Sequence, residues 1–184
     1  MPVKAPAKLR RQGLRKTRTS PRLRTGRTIP PARDRKCKAL QSVGALMLTG
    51  AHGQSVAEQI TGLVQRICHY RWIGIYKISR HEFVLIAATN HMRPAYPRFP
   101  ITQGLSADAV EKRSTIIVPD VSKEPKFLPN FWTTKSEIIV PIIDDEHGRV
   151  LGTFVAESGK VNAFRKADRD FLEGVARLIW RALV

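Results

Sequence analysis

Lys135 to Ser158 reads KSEIIVPIIDDEHGRVLGTFVAES, and how this stretch is read decides the fold. Two runs rich in β-branched and aromatic residues, Ser136 to Ile143 and Arg149 to Ser158, flank the polar turn Asp144-Asp145-Glu146-His147-Gly148. That pattern predicts an antiparallel hairpin. Side chains alternate across a strand, so Thr153, Val155 and Glu157 share one face while Gly152, Phe154 and Ala156 share the other. The apolar face requires a covering layer. The carboxylate opposite requires water, a partner or a ligand.

Downstream, Phe164, Phe171, Leu172, Val175, Leu178, Ile179 and Leu183 set out one long amphipathic C-terminal helix. Upstream, Trp72 to Ile78 reads as a strand whose hairpin partner, Glu82 to Thr89, follows Ser79-Arg80-His81; Trp72, Gly74 and Tyr76 lie on one face. Leu40, Val43, Leu46 and Met47 recur at helical spacing within Asp34 to Leu48. Ser55-Val56-Ala57-Glu58 reads as a capping box opening a second helix, whose Val56, Ile60, Leu63, Val64 and Ile67 form a one-sided stripe. Asn90 to Pro100 carries three prolines and reads as loop. Gly104 then precedes a short helix, Ser106 to Arg113, and a short strand, Thr115 to Val118. Pro119 to Thr134 reads as a long irregular connection, of the kind that forms lids and binding loops. Its Phe131 and Trp132 equally suit a role as anchors to the core. Three striped helices beside five or more strands predict an α+β fold, an antiparallel sheet with its terminal helices on one face.

At 184 residues and 42% hydrophobic content the chain suits one domain with an appendage. Residues 1–38 hold 14 of the 32 Lys and Arg residues against one acid, Asp34, so most of the net charge of +17 belongs to this end. Residues 1–35 are expected to be a basic disordered tail, followed by a domain over residues 36–184. A segment with cations but no stacking aromatics offers nucleic acid a contact without base specificity through residues 1–38. No apolar run approaches the roughly 20 residues that cross a bilayer, and no secretory h-region is present, so no membrane partner and a cytoplasmic location are expected. Cys37 and Cys68 make no disulfide framework and, beside apolar stripes, read as buried structural cysteines. The five histidines show no HxxxH or CxxC spacing, so no metal ligand set is expected, and the acidic turn at Asp144 reads as a solvated hairpin tip. No phosphate loop or nucleophile elbow appears, and no cofactor is expected.

The order of several short motifs resembles the GAF domain, the small-molecule-binding module of signalling proteins and some enzymes. They are Phe99-Pro100-Ile101 followed by Gly104; Ile117-Val118-Pro119-Asp120-Val121 leading to Pro125-Lys126-Phe127; Ser136 to Pro141; and Gly148, Val150, Leu151 and Gly152 through Phe164, Asp168 and Leu172. The resemblance spans about residues 38–184. It implies a twisted antiparallel sheet of about five or six strands, N- and C-terminal helices on one face, a loop-covered pocket on the other, and frequent homodimers through the terminal helices.

Within that family the chain most resembles the free methionine-R-sulfoxide reductases, through Trp72-Ile73-Gly74-Ile75-Tyr76, Arg98-Phe99-Pro100 and Ser136-Glu137. Their chemistry is thiolate attack on the sulfoxide sulfur, resolved by a second cysteine. The resemblance places Tyr96, Ser106 and Asn130 where those cysteines fall, and a serine hydroxyl cannot form the sulfenic acid and disulfide of that cycle. Two aspartates of the strand after the turn are here Val155 and Glu157. The leading expectation is therefore a sensor-type binding module for a small polar ligand, with no catalytic residue. Trp72 and Tyr76 would form an aromatic wall, Glu137 and Glu157 would receive a ligand amine, and Tyr96, Asn130 and Ser136 would complete the site. A purely structural role for Trp72 and Glu137 stays open. So do two alternatives, a reductase-like oxidoreductase acting through Cys68 and a nucleic-acid-associated protein acting through the tail.

Overall fold

The computed structural model describes residues 32–89 and 93–184. The quoted hairpin forms as read: β5 (Ser136–Ile143) and β6 (Val150–Ser158) pair from Ser136 opposite Ser158 to Ile143 opposite Val150. β6 also pairs antiparallel with β1 (Trp72–Ser79), which forms a hairpin with β2 (Glu82–Ala88). Two three-residue strands, β3 (Arg98–Pro100) and β4 (Ile116–Val118), complete a sheet in the order β3-β2-β1-β6-β5-β4, every neighbour antiparallel.

Alternation along the strands gives the sheet two different faces. Ile73, Ile75, Ile138, Val140, Ile142, Phe154 and Ala156 point to the side covered by α1 (Ala32–Leu48), α2 (Gln54–Cys68) and α4 (Lys166–Ile179). Trp72, Tyr76, Phe83, Ile139 and Val155 point to the other, where α3 (Gly104–Lys112) and the long loop after β4 cover them. Asp168 ties the helical layer together: it accepts from Lys36 Nζ at 2.8 Å, the Tyr70 hydroxyl at 2.6 Å and the Arg165 backbone N–H at 2.9 Å. Among the described residues no helix is long and apolar enough to cross a membrane.

Several expectations need correction. Residues 32–35, read as tail, belong to α1; the remainder of the expected tail lies outside the described residues. The capping box at Ser55 is not made. α2 starts two residues earlier, with Gly53 as N-cap at φ 81° and its N–H bonded to the Ala182 carbonyl, so tertiary contact and glycine geometry set the entry angle. Arg98 to Pro100, read as loop, forms an edge strand against Glu82 to Val84, where Phe99 packs on Phe83 and a proline lacking an N–H is tolerated. The last helix gives way to a 3-10 turn over Trp180–Leu183. Cys37 is exposed, because Ala39 and Val43 are the residues of α1 that face the core.

At the tip of the central hairpin Asp145 and Glu146 are solvated as expected, but Asp144 is not. Asp144 is 1% exposed and accepts the backbone N–H groups of Glu146 and His147, the His147 ring at 2.9 Å and Arg149 at 3.5 Å. Burial opposes its ionisation, but those donors hold its carboxyl down to about 2. Asp144, Glu146 and His147 offer three ligand atoms within 4.8 Å of one another, yet the Asp144 oxygens are already engaged as the brace of the turn.

Candidate functional site

The face away from α1, α2 and α4 carries a small, narrow cavity. Its floor is Glu137 and Ile139 of β5 with Val155 of β6; its walls are Tyr76 of β1, Phe99 of β3, and Leu105 and Ser106 of α3. Tyr96, Leu128 and Asn130 roof it from two loops. Gly104, at φ 74°, lets the roof come close: a Cβ there would meet Leu128 Cδ1 at 2.7 Å. The cavity measures about 20 Å³, room for one water.

Two acids pair here, one on the floor and one beside it. Glu137 and Glu157 are direct cross-strand partners, and both are buried. Glu157 accepts from Asn130 Nδ2 at 3.2 Å and from the Thr134 hydroxyl. Glu137, 5% exposed, has no hydrogen-bond partner among the described residues. Burial, then the neighbouring Glu157 charge, pushes the Glu137 carboxyl well above the ordinary carboxylate range. Burial also raises Glu157, but Thr134, Asn130 and the field of Arg71 favour its ionised form. Two adjacent carboxyls in a buried setting cannot both ionise cheaply. Its hydrogen bonds and the Arg71 field make Glu157 the more readily ionised of the two. Tyr76 stays a neutral phenol, held so by burial and then by the Glu157 charge, and its hydroxyl donates to the Tyr96 carbonyl at 3.0 Å.

Of the residues expected at the site, Tyr76, Tyr96, Asn130 and Glu137 line the cavity. Trp72 stands behind the wall, fully buried, 5.6 Å from the Phe131 ring and 6.4 Å from Tyr76, with its indole N–H unpartnered among the described residues. Glu157 lies beneath the roof without reaching the cavity. Ser136 belongs elsewhere: alternation turns it away from Glu137, and its hydroxyl donates to the Lys160 carbonyl at 2.7 Å. Phe131 is the loop aromatic that anchors inward, whereas Trp132 is 93% exposed. Leu105, Leu128 and Phe99 were not expected; they sit on a short helix, a loop and an edge strand, where no periodicity marks a facing side.

Neither cysteine is on this side of the sheet. Cys68 packs against the helical layer, its thiol pushed up chiefly by burial, and Cys37 is exposed on α1.

A GAF domain family model matches residues 52–183. The chain is 28% identical over 134 residues to GAF domain-containing protein A of Dictyostelium discoideum, spanning 72% of this chain and 83% of that protein. It is 33% identical over 114 residues to the free methionine-R-sulfoxide reductase of Saccharomyces cerevisiae, spanning 61% and 63%. The free methionine-R-sulfoxide reductase from Neisseria meningitidis, solved in complex with its substrate, superimposes with a TM-score of 0.76 at 21% identity, covering 84% of this chain and 92% of that one, a likeness of fold.

Proposed function

The chain belongs to the GAF domain family, a ligand-binding fold, and from that premise we propose that it is a sensor-type binding module for a small amine-bearing compound, with no thiol catalysis of its own. One observation carries the reading: Glu137, a buried acid without a hydrogen-bond partner among the described residues, lines the pocket. A ligand ammonium offers it the charge and the donors that burial has removed, and such a charge-assisted bond is worth roughly twice a neutral one. Tyr76, Phe99 and Leu105 supply an apolar wall for the rest of the ligand.

The reductase relatives support an alternative in which methionine sulfoxide is turned over. The position of the thiols weighs against it, since an attacking sulfur must reach the sulfoxide and both cysteines lie off the pocket face. The test is calorimetry and thermal shift with L-methionine and both epimers of L-methionine sulfoxide, run beside a thiol-dependent reduction assay. Saturable binding without turnover is expected. Reduction of either epimer that disappears in the Cys37→Ser/Cys68→Ser variant would overturn the non-catalytic reading, and absence of binding by all three compounds would count against the amine pocket.

A further inference from the structure

Although Glu137 and Glu157 face each other across β5 and β6, their surroundings divide them. Each Glu157 oxygen is taken by the loop that follows β4: Oε1 by Asn130 Nδ2 at 3.2 Å, Oε2 by the Thr134 hydroxyl. Asn130 reaches further. Its Oδ1 accepts the Tyr96 backbone N–H at 3.3 Å, and its own carbonyl accepts the Ala95 N–H at 3.2 Å. Tyr96 is in turn held by the Tyr76 hydroxyl at 3.0 Å. One asparagine thus joins the roof loop, the segment ahead of β3 and the floor of the sheet. The cavity beneath holds about 20 Å³, so anything larger than a water needs part of its lining to yield, and this junction is the polar part of it.

We propose that Glu157 serves the roof and not the ligand: it straps residues 119–134 over the pocket through Asn130 and Thr134, and Asn130 is the positioning residue that sets how readily the pocket opens. The strap is physically apt because an ionised acceptor beneath a polar roof makes stronger hydrogen bonds than a neutral one. An ammonium bound at Glu137 takes neither strap bond, so ligand and strap do not compete for one carboxylate. The role of the strap in ligand entry rests on the amine-binding reading of the pocket; the strap itself does not.

Hydrogen exchange on the full chain, read by mass spectrometry without any ligand, tests the strap directly. Asn130→Ala is expected to speed exchange across residues 93–97 and 127–134 by about tenfold, the factor that follows from losing roughly one net hydrogen bond to a charged group. Thr134→Val is expected to act on 127–134 alone, and Glu137→Gln to leave both segments at the wild-type rate. Wild-type exchange in Asn130→Ala, or a roof loosened as much by Glu137→Gln, would overturn the proposal. Stopped-flow mixing with L-methionine sulfoxide supplies the second arm: faster association with Asn130→Ala is expected, and an unchanged rate would overturn the gating role. If the wild-type chain does not bind this probe, the amine-binding reading fails, and with it the gating role, while the exchange rates still decide the strap.

Discussion

Replacing Gly74 with alanine tests whether the aromatic wall is pinned by the backbone beneath it. A Cβ at this position falls 2.2 Å from Trp72 Cη2 and 2.8 Å from two further ring carbons, roughly 1 Å or more inside normal carbon contact. Neither side can yield. Gly74 is locked in the ladder between Ala88 and Val155, and the indole is fully buried between Tyr76 and Phe131. Expelling the ring costs about as much as truncating a buried tryptophan, on the order of 3–5 kcal/mol. That is a large share of the roughly 5–15 kcal/mol that holds a domain folded. At about 2–4 °C per kcal/mol for a domain of this size, Tm is expected to fall by roughly 6–20 °C. Urea unfolding followed by tryptophan fluorescence measures the loss. Gly44→Ala in α1, where nothing lies within 4 Å of the added carbon, is the control and is expected to gain up to about 1 kcal/mol. A Gly74→Ala variant within about 0.5 kcal/mol of wild type, with its buried emission retained, would refute the claim that Trp72 has one place to go.

Two further outcomes follow from the acids and one from the thiols. The Asp144 carboxyl, which its donors hold down to about 2, stabilises the fold above its unfolded value of 3.8 and stops doing so as pH falls through that window. Asp144→Asn is therefore expected to be less stable than wild type at pH 6 and to converge with it between pH 4 and 2; a urea-midpoint difference constant over that range would contradict this. Glu137 has the opposite sign. Its folded pKa lies above the unfolded 4.5, so wild-type stability declines as pH rises from there through the folded value, and Glu137→Gln is expected to abolish much of that decline in a Tm series from pH 4 to 8. With a disulfide-exchange reagent at pH 8, Cys37 is expected to react at once and Cys68 at least tenfold more slowly, given its burial and raised thiol pKa; equal rates would place Cys68 outside the helical layer.

Much of the fold was legible because the central hairpin obeys a period of two. Phe154 and Ala156 mark one face and Val155 and Glu157 the other, and the structure places them so. The same rule, carried one residue upstream, separates Ser136 from Glu137, and applying it strictly would have removed Ser136 from the candidate site. The loops offered no such rule. Phe131 and Trp132 are neighbours of similar hydrophobicity, and only the irregular backbone between Pro119 and Thr134 decides that Phe131 meets Trp72 while Trp132 meets water. β3 escaped for a related reason, since three residues that follow one proline and end in another gain strand character only from a distant partner, Glu82 to Val84. The distinction between Glu137 and Glu157 was equally hidden: it depends on where Asn130 and Thr134 arrive from the far side of the pocket.

That distinction bears on whether so tight a pocket can work as a binding site. Parting the junction breaks the bonds of Asn130 with Tyr96, Ala95 and Glu157 and that of Thr134 with Glu157. The two neutral bonds are worth a net 0.5–1.5 kcal/mol or so each and the two to the Glu157 carboxylate about 1.5–3 each, so opening costs on the order of 4–9 kcal/mol. A ligand of about ten heavy atoms gains from roughly 3 kcal/mol upward, at about 0.3 kcal/mol per atom for ordinary ligands and more for small, well-fitted ones. The two magnitudes are comparable, so a poorly matched molecule leaves the roof down and one that satisfies Glu137 raises it. Apolar packing of Phe127, Leu128 and Phe131 against the sheet also holds this roof, so only a local parting at Asn130 and Thr134 that leaves Phe131 on Trp72 keeps the cost within a ligand's reach.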